Sequence, residues 1–484
     1  MLTLDRWIRD RARTTPKRVA IDFVGTEVTY AELDDRSERL AAGLLEAGLS
    51  RGDRVSTLTG SSPEHVVVFF ACAKAGLVLM PLNWRLTTSE LAYQLSDAEP
   101  AVLLHDDEHA EAAAAIHERS AGLEDFVADS NYLPPAPTDD DGLLLVYTSG
   151  TTGKPKGALL THSNCFWTNL SFDLATGIGG DDVVLAVLPQ FHCGGWNVQP
   201  LLAWWKGAKV VLEPSFDATR VLSLIAEKRV TTMMGVPANY LFMAQEPGFA
   251  EADLSSLRRA VVGGAPMPEA LLDTWHERGV EIVQGYGLTE AAPNVLALPP
   301  EDAVRKRGFA GKPYPHVDVE LRDPETGAVV EGAGEGELVV RGPNVFAGYW
   351  RNPDATATAL AGGYLHTGDI AERDDEGYYR IVGRTKDMVI SGGENIYPAE
   401  LENVLHEHPA VAEAAVVGVP DERWGEVCIA FVALRGEATE EELLEFCRGR
   451  LARYKVPKGV RFVDALPRNA MNKVAKAELL ERVA

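Results

Sequence analysis

Between Tyr147 and Gly157 the chain reads YTSGTTGKPKG, a run dense in groups that could hold an anion. Thr148, Ser149, Thr151 and Thr152 offer short hydroxyl donors. Gly150, Gly153 and Gly157 let a backbone turn and expose its N–H groups, and Lys154 and Lys156 add positive charge. An apolar run at 143–146 leads in and predicts a buried strand. A basic Gly/Thr loop leaving a buried strand suits a polyphosphate, whose charge is offset by N–H groups and ammonium groups together. It is not a Walker A loop, because the G-x-x-x-x-G-K-[ST] spacing has no match here.

The elements that must position this loop read as alternating strands and helices. A short helix opens the chain, followed by a strand pair at 19–23 and 27–30, turned at Gly25, and an amphipathic helix over 31–47. Strands at 55–58, 77–81 and 101–104 then alternate with helices at 64–74 and 89–96, which predicts parallel pairing. Residues 105–141 read as a helix and a proline-bearing surface connector. After the loop, strands at 209–212, 230–235, 259–262 and 280–284 alternate with helices at 218–227, after Pro237 and at 269–278. The later strands end in unusual residues: GVP at 235–237, GGAP at 263–266 and GYGLTE at 285–290. Ligands of doubly wound sheets gather at the carboxyl ends of strands, so these stretches and the loop at 147–157 should converge on one site.

From about Val317 the pattern changes to short alternating strands, and the last hundred residues mix both types, with helices near 398–406, 440–452 and 475–482. The expected fold class is α/β. A large body of doubly wound sheets over 1–384 carries a β-rich lobe at about 306–384. A small, mobile α+β domain over 385–484 follows, entered through the glycine-rich, charged GRTKDMVISGGEN.

A net charge of −25 over 484 residues argues against nucleic acid as a partner. The five cysteines are scattered without a C-x-x-C pair, so neither a zinc site nor a disulfide framework is indicated. The N-terminal arginines lack an apolar run behind them, and no apolar stretch approaches about 20 residues. A cytoplasmic protein without a transmembrane segment is expected, with a homodimer left open.

YTSGTTGKPKG, GYGLTE, the TGD of 367–369, the GRTKD of 383–387 and a late lysine fall in the order found in the adenylate-forming enzymes. The chain resembles that superfamily over nearly its whole length, and GGAPMPEAL, DMVISGGENIYPAE and ARYKVPK look most like its bacterial fatty-acyl-CoA ligases. The resemblance implies an acid–thiol ligase. A carboxylate attacks the α-phosphate of ATP, with Mg²⁺ assisting, and coenzyme A then displaces AMP to give the thioester. It implies the following roles. Thr148 to Lys156 hold the β- and γ-phosphates, Glu290 and Thr148 serve the metal, and Thr289 binds the α-phosphate. Tyr286 stacks on adenine in a slot lined by Gly263, Gly264 and Ala265, while Asp369 and Arg384 grip the ribose. Lys473 bridges the carboxylate and the α-phosphate, Lys386 is the hinge, and Gly392 and Gly393 line the pantetheine tunnel. His192 stands between the acyl pocket and ATP, where amino-acid-activating relatives carry Asp, which favours an acid without an α-amino group.

Trp196, Val236, Gly285, Gly287, Leu288 and Ala291 are the expected pocket walls, mostly small or apolar. They favour a medium or long fatty acid, or a bulky alicyclic or aryl acid, and no nearby arginine stands out for a second carboxylate. One departure is Asn472, where the family usually has glycine before the lysine. Asn tolerates left-handed backbone better than other non-glycine residues. Three readings therefore stay open: a complete ligase, a member weak in adenylation that thioesterifies a preformed acyl adenylate, and a stand-alone enzyme loading a carrier protein.

Overall fold

The computed structural model describes residues 2–123, 125–129, 136–148, 154–391, 394–421, 423–469 and 474–483. Four sheets account for its strands. The first has nine strands, in the order Lys312–Pro313, Asn294–Ala297, Ile282–Gly287, Arg259–Val262, Thr232–Gly235, Val183–Ala186, Lys209–Leu212, Val19–Phe23 and Thr26–Thr29. Its centre is parallel and its two ends antiparallel. The second has seven strands. Arg54–Leu58, Val78–Pro81, Val102–His105, Ser120–Gly122 and Gly142–Thr148 form its parallel part, and Lys156–Thr161 and Gly348–Tyr349 its antiparallel edge.

The two sheets share one buried core. The helix Pro63–Ala75 explains why. Its sequence PEHVVVFFACAKA is apolar on every side, and every residue except Glu64 is buried, as expected for a helix covered on all faces. Ser62 caps its start by accepting from the His65 N–H, Pro63 fills the first turn, and Gly76 ends it in a left-handed conformation. The helix His162–Thr176 has a full capping box from Thr161 and Asn164. Sequence reading did not assign it, nor the strands Lys156–Thr161 and Val183–Ala186. Its buried residues recur on one face, at His162, Asn164, Cys165, Thr168, Asn169, Ser171 and Phe172, but most of them are polar, so no apolar stripe marks the helix in the sequence.

Strand order opens a crevice in the nine-stranded sheet. From Val183–Ala186 the chain moves to Lys209–Leu212 on one side, and then crosses to Thr232–Gly235 on the other. The segments leaving Ala186 and Gly235 therefore diverge, which is the geometry of a switch-point binding crevice. The third sheet is the expected antiparallel lobe, made of Asp318–Arg322, Gly334–Arg341, Leu365–Arg373 and Tyr379–Arg384. The fourth has five strands and its own core around Leu401, Leu405, Val416 and Val432. The long hairpin of Val411–Asp421 and Gly425–Leu434 dominates it.

Candidate active site

The two ends of the stretch at 147–157 are antiparallel strands. Tyr147 pairs with Gly157, and Thr148 with Lys156, across Gly142–Thr148 and Lys156–Thr161. Gly157 lies inside the second strand, which corrects its reading as a turn glycine. A Cβ there would come within 2.9 Å of Leu145 and 3.2 Å of the Tyr147 ring, so close packing and not backbone freedom demands glycine. Lys154 is exposed, with its ammonium 5.6 Å from the Tyr93 ring centre, and the Lys156 ammonium lies 4.8 Å over Tyr349. Ser149, Gly150, Thr151, Thr152 and Gly153 lie outside the described residues.

The end of this strand pair faces the 3-10 turn Thr289–Ala291. Glu290 Oε1 accepts from the Tyr349 hydroxyl at 2.8 Å and lies 3.4 Å from Thr148 Oγ1. Two hard oxygen donors from different elements thus stand side by side, which suits Mg²⁺ held by few protein ligands plus phosphate oxygens. Among the described residues no cluster of three His, Cys, Asp or Glu could hold a metal. Tyr349 was not singled out in the sequence, because only the pairing of Gly348–Tyr349 with Lys156–Thr161 brings it here.

The GYG stretch is strand and not loop, since Ile282–Gly287 runs through it and pairs antiparallel with Asn294–Ala297. A Cβ on Gly287 would stand 1.7 Å from the Pro293 carbonyl oxygen, so only glycine fits. This strand presents Tyr286 to the third sheet. Its hydroxyl donates to Asp369 Oδ2 at 2.6 Å, and Arg384 Nε stands 2.8 Å from Asp369 Oδ1. Asp369 and Arg384 face each other on adjacent strands. Burial, with the Asp369 carboxylate beside it, pushes the Tyr286 phenol well above its ordinary value. Behind them Glu337 accepts from the Gly368 N–H at 3.1 Å and meets His366 Nδ1 at 3.0 Å, holding the turn that carries Asp369.

One cavity of about 1940 Å³ is lined by Thr148, His192, Val236, Gly263, Gly264, Ala265, Gly285, Tyr286, Gly287, Leu288, Thr289, Glu290, Asp369 and Arg384. It is larger than a site for one small ligand. The small domain closes one side with Pro398, Glu402 and Lys476, and with Asn469 and Val474, which flank 470–473 in the chain. Lys473, Asn472, Gly392 and Gly393 lie outside the described residues. Lys386 falls in the 3-10 turn Thr385–Asp387, and its side chain is likewise outside them.

Two expected pocket walls are core residues. Trp196 is wholly buried, stacked on Phe69 at 4.7 Å with its indole N–H donated to the Gln190 carbonyl at 2.6 Å. Ala291 is fully buried in the core shared by the two sheets. Both were placed in the wall by nearness in sequence to His192 and Glu290, but the short helix Gly194–Asn197 and the turn Thr289–Ala291 direct them inward. Conversely, Arg85 lines the cavity, stacked over Trp84 and Phe191 at 5.0 and 5.6 Å, although no arginine stood out in the sequence. The signal was absent because Arg85 is far in sequence from every motif.

A family model described as AMP-binding enzyme matches residues 8–350. The chain belongs to the AMP-binding enzymes. A second model, AMP-binding enzyme C-terminal domain, matches residues 400–473. A feruloyl-CoA synthase from an Amycolatopsis species is 45% identical over 487 residues, covering 99% of each chain. An indoleacetate–CoA ligase from Aromatoleum aromaticum is 41% identical, covering 100% of this chain and 98% of that protein. The structure of O-succinylbenzoate coenzyme A synthetase from Bacillus subtilis, in complex with ATP and magnesium ion, superposes with a TM-score of 0.90 at 35% identity, covering 98% of this chain and 99% of that one. This AMP-binding enzyme is accordingly an AMP-forming acyl-CoA synthetase: it uses ATP, Mg²⁺ and coenzyme A to join a carboxylic acid to the thiol. Among the described residues no helix is long and apolar enough to cross a membrane.

Proposed function

We propose that the acid is apolar, either a medium or long chain or a bulky ring, with an aryl acid as the first choice. The observation that carries this is the wall of the cavity beyond His192. Phe172, Val198, Met234, Val236 and Leu296 line it together with the bare backbones of Gly263 and Gly285, which suits a flat body. The acids named for the feruloyl- and indoleacetate-specific relatives are also aryl acids. A second reading rests on Arg85, which pairs with no carboxylate among the described residues and would take a second anionic group on the acid.

Within this reading, the residues act as follows. Thr148 and Glu290 hold Mg²⁺, which supplies charge to the β- and γ-phosphates beside the loop. Thr289 donates to the α-phosphate. Tyr286 stacks against adenine in the slot of Gly263, Gly264 and Ala265, and Asp369 and Arg384 take the ribose hydroxyls. His192 separates acid from nucleotide. Lys473 bridges the attacking carboxylate and the α-phosphate, which must meet although both are negative. Rotation of a small domain over 385–484 about Lys386 then exchanges Lys473 for a pantetheine passage at Gly392 and Gly393.

The test separates the two half-reactions over a panel of fatty, aryl and dicarboxylic acids. One assay follows acid-dependent pyrophosphate release, and the other follows acyl-CoA formation from preformed acyl adenylates. Both should proceed for the same apolar acids, and Lys473→Gln should lose the first and keep the second. Preference for dicarboxylic acids that is lost in Arg85→Ala would favour the second reading. If wild type runs only the second half-reaction, the complete-ligase reading fails and Asn472→Gly becomes the restoring substitution to try.

A further inference from the structure

A smaller cavity abuts the large one, and the two share Phe172, Val261, Gln284, Gly285 and Tyr314 as walls. Of these shared walls, Gly285 has no side chain and Val261 a small one. The polar side chains of the smaller cavity are almost all engaged elsewhere. Arg258 and Arg259 are both held by Asp182. Thr176 donates to the Phe172 carbonyl, and Gln284 is used at both ends, accepting from the Met267 N–H and donating to the Phe309 carbonyl. Glu281 sits at the exposed rim.

Tyr314 is what remains. It is 5% exposed, lines both cavities and packs at 6.1 Å and 30° against Phe172, but its hydroxyl makes no hydrogen bond among the described residues. Its backbone is fixed, with the N–H donated to the Val295 carbonyl beside the strand that pairs with Ile282–Gly287. A hydroxyl without a protein partner that opens onto a cavity is a position where a ligand group can supply the bond.

We propose that the Tyr314 hydroxyl recognises a polar substituent, a hydroxyl or alkoxy group, on the end of the acid's ring remote from its carboxylate. This rests on the reading of the cavity beyond His192 as the acyl pocket. The ring lies between the Phe172 side and the Gly263 and Gly285 backbones, and its far substituent meets the phenol beside the smaller cavity. Burial holds the Tyr314 phenol neutral, so it can donate as well as accept. A pocket built to hydrogen-bond a substituent disfavours the acid that lacks it, because an apolar ring end then displaces solvent from the phenol without replacing the hydrogen bond.

The experiment compares kcat/KM for phenylacetic, cinnamic and 5-phenylpentanoic acids, each with and without a para-hydroxyl, in wild type and Tyr314→Phe. For the acid of fitting length, wild type should favour the hydroxylated form by roughly tenfold, and Tyr314→Phe should reduce that ratio to near unity. Thermal melting checks that the variant is folded. The para-methoxy acids, assayed on wild type alone, give a readout independent of the variant and should also exceed the unsubstituted acids. If aryl acids are used with no preference for the substituent, or with a preference that survives Tyr314→Phe, the inference falls while the aryl reading stands. If wild type uses fatty acids and no aryl acid, both fall together.

Discussion

Asp369→Asn would test the ribose site, and its size can be worked out from the geometry. The carboxylate is 4% exposed, and its two oxygens already accept from Tyr286 at 2.6 Å and from Arg384 at 2.8 Å. A carboxylate offers about four lone-pair directions, so about two stay free for ribose hydroxyls. Hydrogen bonds to a charged partner contribute about 1.5–3 kcal/mol, and those between neutral groups about 0.5–1.5. The amide keeps the shape and removes the charge, so each ribose hydroxyl should lose about 1–1.5 kcal/mol, or roughly tenfold in Kd. The assay is equilibrium binding of ATP, 2′-deoxy-ATP and 3′-deoxy-ATP to both proteins. Removing a hydroxyl should cost more in wild type than in Asp369→Asn, with a coupling of about 1 kcal/mol for at least one position. If the losses simply add for both analogues, Asp369 does not touch the ribose. Its role would then be to hold Tyr286 and Arg384.

Three other outcomes are expected. Trp196→Ala should lower unfolding stability by about 3–5 kcal/mol, as removal of a buried Trp does, without reordering the acid panel; a changed acid preference would return Trp196 to the pocket wall. Gly287→Ala should abolish acid-dependent pyrophosphate release and lower the melting midpoint, because its Cβ meets the Pro293 carbonyl at 1.7 Å, whereas Gly285→Ala, whose Cβ meets Leu296 at 3.4 Å, should melt like wild type. Burial holds His65 down to about 3 and His162 down to about 4, so both stay neutral in the fold while the unfolded chain protonates them below pH 6.5. Stability is therefore full above pH 6.5 and falls as pH drops toward 4. At pH 5 each residue costs about 2 kcal/mol, and urea midpoints for wild type and His162→Gln should converge between pH 7.5 and 5. His162 adds a geometric reason, since its Nδ1 accepts from the Leu4 N–H at 3.1 Å and a protonated ring cannot accept.

Local chemistry and periodicity were enough for the α/β class, the alternation of the body and the motifs. The strand Arg259–Val262 and the helix Pro398–His406 were read at their observed bounds, because β-branched runs, an N-terminal proline and turn residues mark their ends in the sequence itself. An element whose buried face is polar was not legible. His162–Thr176 buries His162, Asn164, Thr168, Asn169 and Ser171, so its period does not appear as an apolar stripe. The antiparallel pairing at the ends of 147–157 was equally hidden, since antiparallel and parallel continuations of an apolar run look alike until the partner strand is known.

The same division holds in the site. Glu290, Asp369, Arg384 and Tyr286 could be named from the sequence because each lies within a short motif shared with the adenylate-forming enzymes. That Tyr349 hydrogen-bonds Glu290, that Glu337 holds the Asp369 turn, and that Tyr314 lines two cavities at once depend on contacts between residues far apart in the chain. Trp196 and Ala291 show the converse, motif neighbours that the helix Gly194–Asn197 and the turn Thr289–Ala291 rotate into the core. Sequence by itself determined which chemistry this protein carries, because that depends on residue type and short spacing. Only the tertiary structure decided which side chains face the ligand, because a residue's direction is set by the pairing register and packing of strands distant in sequence.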